Sequence, residues 1–194
     1  MKGHSTTLAA VLACCAIPAV AQFPPGIAGQ KYRHYSNSLA PYVVSPQTIV
    51  ERMLEMADLK PGETLFDLGS GDGRILITAV QHFRAKAVGV EISDSLVRST
   101  NERIQKLGLQ SDARVIHDDM LNVDLSPADV VTIYLMTDSN EILRPNLEKY
   151  LKTGSRVVSH EYPVPNWKAK RVEKSEPGDH AHLIYLYEMP PAKK

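Results

Sequence analysis

The residues best suited to binding chemistry are three glycines spaced two apart, with aspartates around them. They lie in a segment of seven residues: Asp67, Leu68, Gly69, Ser70, Gly71, Asp72 and Gly73. Glycine is needed where the backbone takes a positive φ or passes close to a ligand. The segment runs into a helical pattern, and a helix N-terminus adds unpaired N–H groups with a partial positive charge. The pattern therefore predicts a ligand-binding turn between a strand and a helix.

Acidic residues also follow the next two apolar runs of the chain. Glu91 ends the second run, and a carboxylate at this offset from a glycine turn can accept hydrogen bonds from a ribose diol. Asp118, Asp119 and Met120 follow the third run, where an acid can accept from an exocyclic amine and Met120 can cover a ring face. Asp119 is the preferred amine acceptor because it directly precedes Met120, and Asp118 is the alternative. These residues predict an adenosine-containing ligand.

The glycine spacing separates the candidate ligands. Dinucleotide sites use G-x-G-x-x-G, with a helix N-terminus aimed at a pyrophosphate. Here the spacing is G-x-G-x-G, and the carboxylates of Asp67 and Asp72 would repel a diphosphate. They suit a cationic ligand, and S-adenosylmethionine combines adenosine with an ammonium and a sulfonium. The residues favour this cofactor, and an NAD-dependent oxidoreductase is the less favoured alternative.

Alternating strands and helices are predicted to position these residues. The predicted strands are at 64–68, 87–92, 113–117, 128–135, 155–161, 167–173 and 182–188, and the predicted helices are at 46–57, 72–83, 94–107 and 140–151. Ser45 is the expected N-cap of the first helix, which would begin at Pro46. The last two strands form a hairpin. This order predicts an α/β fold, with a mostly parallel sheet, helices on both faces and a C-terminal antiparallel hairpin.

The N-terminal residues differ in composition from the rest. Residues 1–21 are an uncharged run after Lys2, broken by Pro18 and ending in small residues, which is typical of a secretory signal peptide with Gln22 as the mature start. Residues 22–40 read as an extended arm, and residues 41–194 as one domain. The prediction is export to the periplasm or envelope, with no transmembrane span in the mature chain. The alternative is a cytoplasmic protein with an uncleaved N-terminus, since S-adenosylmethionine is a cytosolic metabolite.

The charge balance and the positions of the cysteines and histidines limit the possible binding partners. The chain has 22 basic and 22 acidic residues, so no overall field favours nucleic acid. Both cysteines, Cys14 and Cys15, lie in the predicted signal peptide, which excludes a cysteine metal site from the mature domain. The seven histidines show no ligand-like spacing, and His160, His180 and His182 are predicted to be surface or strand residues. The sequence thus predicts no metal site.

The three acidic and glycine motifs resemble those of class I S-adenosylmethionine-dependent methyltransferases. The resemblance covers residues 41–188, and within that superfamily the chain is similar to protein-lysine methyltransferases acting on ATP synthase subunit c and adenine nucleotide translocase. It implies a Rossmann-like sheet of seven strands. It also implies a set of cofactor-binding residues: Tyr42, Ser45, Asp67, Gly69, Ser70, Gly71, Asp72, Gly73, Glu91, Asp118, Asp119 and Met120. Tyr42 and Ser45 would help to close the site.

The resemblance places the methyl acceptor at the end of the fourth strand. Tyr134 and Asp138 are the predicted catalytic residues there, with Thr137 also present and Glu161 and Tyr162 as second choices. A lysine nucleophile must lose its proton, and an apolar or aromatic site with one acceptor favours the neutral amine. The predicted substrate is a protein lysine side chain, and a small-molecule acceptor is also possible. A non-catalytic module that binds the adenosyl cofactor is the alternative of a different class.

Overall fold

The computed structural model describes residues 42–176 and 181–193. Within these ranges the helices are α1 Gln47–Met56, α2 Arg74–Phe83, α3 Asp94–Lys106 and α4 Thr137–Tyr150, with a 3-10 turn at Met120–Asn122. The strands are β1 Thr64–Leu68, β2 Lys86–Glu91, β3 Ala113–His117, β4 Val130–Ile133, β5 Arg156–His160, β6 Trp167–Lys168, β7 Arg171–Ser175, β8 His182–Glu188 and β9 Ala192–Lys193. The predicted signal peptide and arm lie outside the described residues.

Seven strands form the main sheet, in the order β3-β2-β1-β4-β5-β8-β7. The first five pair in parallel, whereas β8 pairs antiparallel with both β5 and β7. The predicted α/β, mostly parallel sheet with a C-terminal antiparallel hairpin is therefore confirmed. In the described part of the chain, no helix is both long enough and apolar enough to cross a membrane.

Both faces of the sheet are buried, which explains the nearly continuous apolar runs of the central strands. Leu65 of β1 belongs to the cluster under α1, α2 and α3, while Phe66 and Leu68 belong to the cluster on the opposite face with α4. Successive residues of a strand point to opposite faces, so a strand covered on both sides needs apolar residues at every position. The only polar residue of β1 between these core positions is Asp67.

Two boundary predictions were wrong for reasons of tertiary structure. Residues 167–173 are not one strand: β6 pairs with β9 in a separate two-stranded sheet, and the chain then changes partner so that β7 pairs with β8. The Trp167 side chain is fully buried, and its indole N–H donates to Glu148 of α4 at 2.8 Å, which anchors β6 outside the main sheet. Ser45 does not cap α1, whose N-cap is Pro46.

The helix after the glycine turn also begins later than predicted. Gly73 has φ +72°, in the left-handed region, so the first residue of α2 is Arg74 rather than Asp72. The helix α4 begins at Thr137, three residues before the predicted start, and the Asn140 N–H donates to the Met136 carbonyl at 2.9 Å. Both changes bring a helix N-terminus to the carboxyl edge of the sheet.

Candidate functional site

A cavity of about 380 Å³ lies at the carboxyl ends of β1 to β4. Ligands of open α/β sheets bind at this edge, and the volume is in the range of small-molecule sites. Most of the residues predicted for the site line this cavity: Tyr42, Ser45, Asp67, Gly69, Ser70, Gly71, Asp72, Glu91, Asp118, Asp119, Met120 and Tyr134. The structure thus brings together residues from segments between positions 42 and 134.

Two predicted residues do not line the cavity. Gly73 is the N-cap of α2, and a Cβ added there would lie 2.3 Å from Cγ2 of Thr100, so this glycine permits close packing of the loop on α3. Asp138 is exposed in the first turn of α4. The fourth strand ends at Ile133, two residues before its predicted end, and Tyr134, which follows it, lines the cavity.

The glycine turn is held by its neighbours on three sides. The N–H groups of Gly69 and Ser70 donate to the carbonyl of Val90, at 2.8 and 3.1 Å. The Thr100 hydroxyl donates to the carbonyl of Gly71 at 2.9 Å. Gly71 has φ +52°, and a Cβ added there would lie 2.8 Å from the ring of Tyr42. The turn therefore requires glycine at this position both for its backbone conformation and for the close approach of Tyr42.

Glu91 is buried and fixed by two backbone donors. Its Oε2 accepts from the Gly71 N–H at 2.9 Å, and its Oε1 accepts from the Ser93 N–H at 2.8 Å. An ionised carboxylate has about four acceptor sites, so each oxygen can accept a further bond from a ligand. The two N–H groups orient the carboxylate toward the cavity that it lines.

Asp67 is the most electrostatically perturbed acid of the site. Burial raises its pKa to about 7, the hydrogen bond from the Thr132 hydroxyl at 2.8 Å opposes the rise, and the charges of Glu91 and Asp72 add to it. A cationic group in the cavity would favour the ionised form and lower this pKa. No cation of the described residues contributes to the shift of the Asp67 pKa, so a cationic ligand could supply the missing partner.

Sequence reasoning missed the part played by Arg74. Its guanidinium pairs with Asp72 at 2.8 Å and donates to the Ser45 carbonyl at 2.7 Å, so it joins the segment before α1 to the glycine turn. Asp72 is therefore paired with a cation of the protein, whereas Asp67 accepts from the neutral hydroxyl of Thr132. The position of Arg74, directly after the third glycine, was the available signal for this contact.

The residues after β3 form a compact acidic turn. Asp119 Oδ1 accepts from the Leu121 N–H at 2.9 Å and caps the 3-10 turn, while Asp118 Oδ1 accepts from the Asp119 N–H at 2.8 Å. Both side chains are buried and line the cavity. Met120 reaches over the glycine turn, since its Cε lies 3.9 Å from a Cβ added at Gly69. An acid and an apolar cover therefore face the same end of the cavity.

The other end of the cavity is aromatic. Tyr134 is half-buried, with its ring centroid 4.1 Å from that of His160 and 6.4 Å from that of Tyr162. Burial, with the nearby Glu161 and Tyr162, raises the pKa of Tyr134, so the phenol stays protonated at neutral pH. This side of the site offers aromatic faces and a neutral hydroxyl.

His160 packs against the Tyr134 ring at this aromatic end and was not predicted as a site residue. It is fully buried, burial lowers its pKa to about 4, and the Ser45 hydroxyl lies 2.8 Å from its Nδ1. It is a strand residue, as predicted, at the end of β5. No local pattern signals its role because Ser45 is 115 positions away. His180 lies outside the described residues.

The cavity fits S-adenosylmethionine in shape and in donor chemistry. The unmatched carboxylate of Asp67 suits the ammonium, and the oriented carboxylate of Glu91 suits a diol. The Ser70 hydroxyl is buried with no partner among the described residues, as expected of a group beside a ligand site. A nicotinamide dinucleotide fits less well, because its pyrophosphate would meet Asp67.

Comparisons with known proteins agree with this geometry. The profile of the ANTKMT methyltransferase domain matches residues 67–171. A protein-lysine N-methyltransferase of Saccharolobus islandicus is 47% identical, over 76% of this chain and 92% of that protein. The adenine nucleotide translocase lysine N-methyltransferase of Mus musculus is 32% identical over 77% of this chain, which spans 63% of the mouse protein.

A solved structure carries the same fold with the cofactor product bound. It is an RNA methyltransferase from Salinibacter ruber in complex with S-adenosyl-L-homocysteine, 36% identical to this chain, with a TM-score of 0.73 over 78% of this chain and 97% of that one. The family match covers more than half of the chain, and it begins at the acid of the glycine turn. The chain belongs to the ANTKMT methyltransferase domain family and is an S-adenosylmethionine-dependent methyltransferase.

Proposed function

We propose that this chain methylates the side-chain amine of lysine in a protein substrate. The observation that carries the proposal is the aromatic end of the cavity, where Tyr134 lines the cavity and its ring centroid lies 6.4 Å from that of Tyr162. Two similar proteins, from Saccharolobus islandicus and Mus musculus, bear names that state lysine methylation. Aromatic faces suit the methylene stem of lysine, which packs along apolar surfaces.

The cavity residues each have a proposed part in holding the cofactor. Asp67 pairs with the ammonium of its amino-acid part, close to the backbone of Gly69 and Gly71. Glu91 accepts from the ribose hydroxyls, and Asp119 accepts from the adenine amine, with Asp118 as the alternative. The bound cofactor supplies a methyl group on a sulfonium, which is an electrophile with a good leaving group.

Most of the work left to the protein is positioning and desolvation. The amine must arrive neutral, and a half-buried aromatic surface favours the uncharged form. The protonated phenol of Tyr134 can still accept one hydrogen bond through its oxygen, which would orient the amine without taking its proton. In this proposal the proton of the lysine is lost to solvent before transfer. Asp138 has no part in it, because its side chain does not reach the cavity.

The entrance of the cavity suits a macromolecular substrate. Five exposed apolar or aromatic side chains surround it or adjoin its lining: Tyr42, Val43, Val44, Met136 and Tyr162. Exposed apolar groups that cluster at a cleft are typical of surfaces that contact another protein. We propose that they contact the residues that flank the target lysine, which distinguishes a protein substrate from a small polar amine.

Methyl transfer to a host protein extract tests the proposal. The purified enzyme and labelled S-adenosylmethionine are incubated with extract, and with the same extract after its lysines have been blocked by acetylation. We expect label that protease releases, that nuclease does not release, and that is absent from the blocked extract. Mass spectrometry should place the added methyl groups on lysine.

Other outcomes would assign a different function. Label released by nuclease would favour RNA as the substrate, as the name of the Salinibacter ruber protein states for that protein. The balance of basic and acidic residues in this chain argues against that result. Tight cofactor binding in calorimetry with no labelled product in any fraction would favour the non-catalytic binding module.

Export of the chain remains our proposal on the basis of residues 1–21, which lie outside the described residues. The test is the N-terminal residue of the protein isolated from its host. Gln22 at the N-terminus would support processing by a signal peptidase. Met1 at the N-terminus would contradict it and favour a cytoplasmic enzyme.

A further inference from the structure

Three potential metal ligands converge beneath the aromatic end of the site. Nε2 of His160 lies 3.0 Å from Nδ1 of His182 and 3.4 Å from Oε1 of Glu161, and the last two atoms are 2.5 Å apart. The edges of a tetrahedral zinc site are about 3.3 Å long, since zinc–nitrogen bonds are about 2.0–2.1 Å. The three atoms thus form a triangle close to one face of such a site.

Hydrogen bonding alone leaves this triangle poorly matched. Each neutral imidazole has one N–H and one lone pair. If His182 Nδ1 carries a proton and His160 Nε2 does not, that single hydrogen must serve both Glu161 Oε1 and His160 Nε2, whose lone pairs then face each other at 3.4 Å. If both nitrogens carry protons, both donate to Glu161 Oε1, and the two hydrogens converge between nitrogens only 3.0 Å apart. If His182 Nδ1 is unprotonated, its lone pair faces the carboxylate oxygen at 2.5 Å. A cation inside the triangle would accept all three lone pairs at once.

The surrounding groups orient the three ligands. The Ser45 hydroxyl lies 2.8 Å from Nδ1 of His160, the nitrogen that faces away from the triangle. The second carboxylate oxygen of Glu161 accepts from the Leu183 N–H at 3.4 Å. Metal-binding histidines and carboxylates usually have such partners on their remaining polar atoms. These contacts leave Nε2 of His160 and Oε1 of Glu161 as the atoms available to a metal.

The backbone at Glu161 is a separate sign of a functional constraint. This residue has φ +63°, in the left-handed region, although it is not a glycine. Such a conformation costs about 1–2 kcal/mol for a residue with a Cβ and is concentrated at functional sites. It directs the carboxylate back toward His160 and His182, and the Glu161 N–H donates to the carbonyl of Leu183 at 2.7 Å.

We propose that His160 Nε2, Glu161 Oε1 and His182 Nδ1 bind one divalent zinc ion, with water in the fourth position. Two histidines and one carboxylate with an open position are a known zinc ligand set. The Glu161 and His182 side chains are 24% and 15% exposed, so an ion and a water molecule have access, while His160 is fully buried.

The ion would brace the acceptor side of the catalytic site. It joins the end of β5 to the start of β8, and it holds the His160 ring against Tyr134 and against the Ser45 hydroxyl. The expectation of no metal site relied on the lack of close histidine spacing, but His160 and His182 are 22 positions apart and meet only because β5 and β8 pair. The ion supports the site and takes no part in methyl transfer.

Zinc binding by the full-length protein, with any affinity tag removed, tests the proposal. The protein is dialysed against chelator, and its zinc affinity is then measured by competition with a chromophoric chelator, with the stoichiometry from elemental analysis. We expect one zinc ion per chain. His182→Gln and Glu161→Gln should weaken binding by more than about 100-fold, and Ser45→Ala, which removes a partner of a ligand, by about 10-fold.

His82→Gln is the matched control, because His82 is exposed in the last turn of α2. It should bind zinc as the wild type does. His182 and Glu161 are partly exposed, so their variants should fold even if His160→Gln does not, and circular dichroism checks this. Substitution by Co²⁺ should give visible absorption bands that change in His182→Gln. Zinc binding below one ion per chain, or wild-type zinc affinity in His182→Gln and Glu161→Gln, would overturn the proposal. Tighter binding of Fe²⁺ or Mn²⁺ than of Zn²⁺ would overturn the choice of zinc.

Discussion

The two ends of the catalytic cavity are built in different ways. The cofactor end is made by loops after β1, β2 and β3, and most of its carboxylates accept hydrogen bonds from backbone N–H groups of these loops. Examples are Glu91 with the Gly71 and Ser93 N–H groups, and Asp119 with the Leu121 N–H. The acceptor end is made by side chains that meet across the fold, such as Ser45 and His160.

This difference separates what a local motif can specify from what the tertiary structure must supply. A turn that orients its own carboxylates needs only the correct residue types at short spacing, because the backbone provides the donors. An aromatic acceptor surface needs several strands in register before its rings meet. We therefore expect substitutions at the cofactor end to affect binding of S-adenosylmethionine, and substitutions at the acceptor end to affect methyl transfer.

Gly71→Val should have the largest effect on cofactor binding. The added side chain would meet the Tyr42 ring, since even a Cβ lies 2.8 Å from it. It would also force a β-branched residue into a backbone with φ +52°. Overpacking and displacement of the turn should weaken S-adenosylmethionine binding by about 3 kcal/mol or more, or over about 100-fold, in calorimetric titration.

Gly108→Val is the control for this substitution. Gly108 also has a positive φ, of +69°, but a Cβ there would meet nothing within 4 Å. The variant should share the backbone strain of about 1–2 kcal/mol in unfolding experiments and should bind the cofactor normally. Normal binding by Gly71→Val would mean that the turn does not contact the cofactor.

Asp67→Asn should weaken cofactor binding but stabilise the protein without ligand. Removing the carboxylate removes the proposed partner of the ammonium, with an expected loss of about 2–3 kcal/mol in binding. It also removes a buried charge, while the amide oxygen can still accept from the Thr132 hydroxyl. We expect a gain on the order of 1–3 kcal/mol in the free energy of unfolding at pH 8, measured with urea.

Protein stability and cofactor affinity should change in opposite directions with pH because of Asp67. The folded pKa of Asp67, about 7, is above the unfolded value of about 3.9. Between these values the folded state holds a proton that the unfolded state has lost, so this contribution to stability falls as the pH rises from about 4 to about 7. The fall should be smaller in Asp67→Asn. Wild-type cofactor affinity should instead rise with pH through 7, and a flat affinity profile would contradict the pairing with the ammonium.

Asp129→Asn provides a contrast in stability. Asp129 accepts from the Thr64 N–H at 2.8 Å and pairs with Lys152 at 2.6 Å. The substitution should lower the free energy of unfolding by about 1 kcal/mol, since it removes these charge-assisted contacts, and it should leave cofactor binding unchanged. Asp67 in β1 and Asp129 just before β4 would then respond to the same substitution with opposite signs.

Glu91→Gln should have an intermediate effect. One carboxylate oxygen becomes an NH₂ group, which would face either the Gly71 N–H or the Ser93 N–H, donor against donor. With one ribose contact also weakened, we expect a loss of about 1.5–2 kcal/mol in cofactor binding by calorimetry. Glu102→Gln, on the exposed side of α3, is the control. If Glu91→Gln bound as well as the wild type, the ribose assignment would be wrong.

The same distinction explains which parts of the fold the sequence predicted. β1 and β3 have the bounds that their apolar runs predicted, and four of the five residues of each strand are buried. The predicted strand at 167–173 failed because alternation alone does not identify the pairing partner, and here the partner changes from β9 to β8. Ser45 failed as a cap because its hydroxyl faces His160 instead.

The site shows the same limit. Asp67, Glu91 and Asp119 lie where their motifs predicted, since each follows or ends a strand of one parallel sheet and such ends share an edge. His160 had no local signal, because its partners are 22 and 115 positions away. Asp138 was predicted from its position after the fourth strand, but the early start of α4 leaves it exposed on the helix surface.

Tyr134→Phe should have the smallest effect and should separate the two ends of the cavity. The ring remains against His160 and Tyr162, and only the hydroxyl proposed to orient the amine is lost. One neutral hydrogen bond is worth about 0.5–1.5 kcal/mol, so kcat should fall by about 2- to 10-fold while cofactor affinity stays unchanged. Tyr150→Phe is the control for both measurements, because the Tyr150 hydroxyl accepts from the exposed Lys149 ammonium at 3.0 Å and does not line the cavity. Weaker cofactor binding with an unchanged kcat would instead place Tyr134 at the cofactor end, and the division of the cavity into two functional ends would then be wrong.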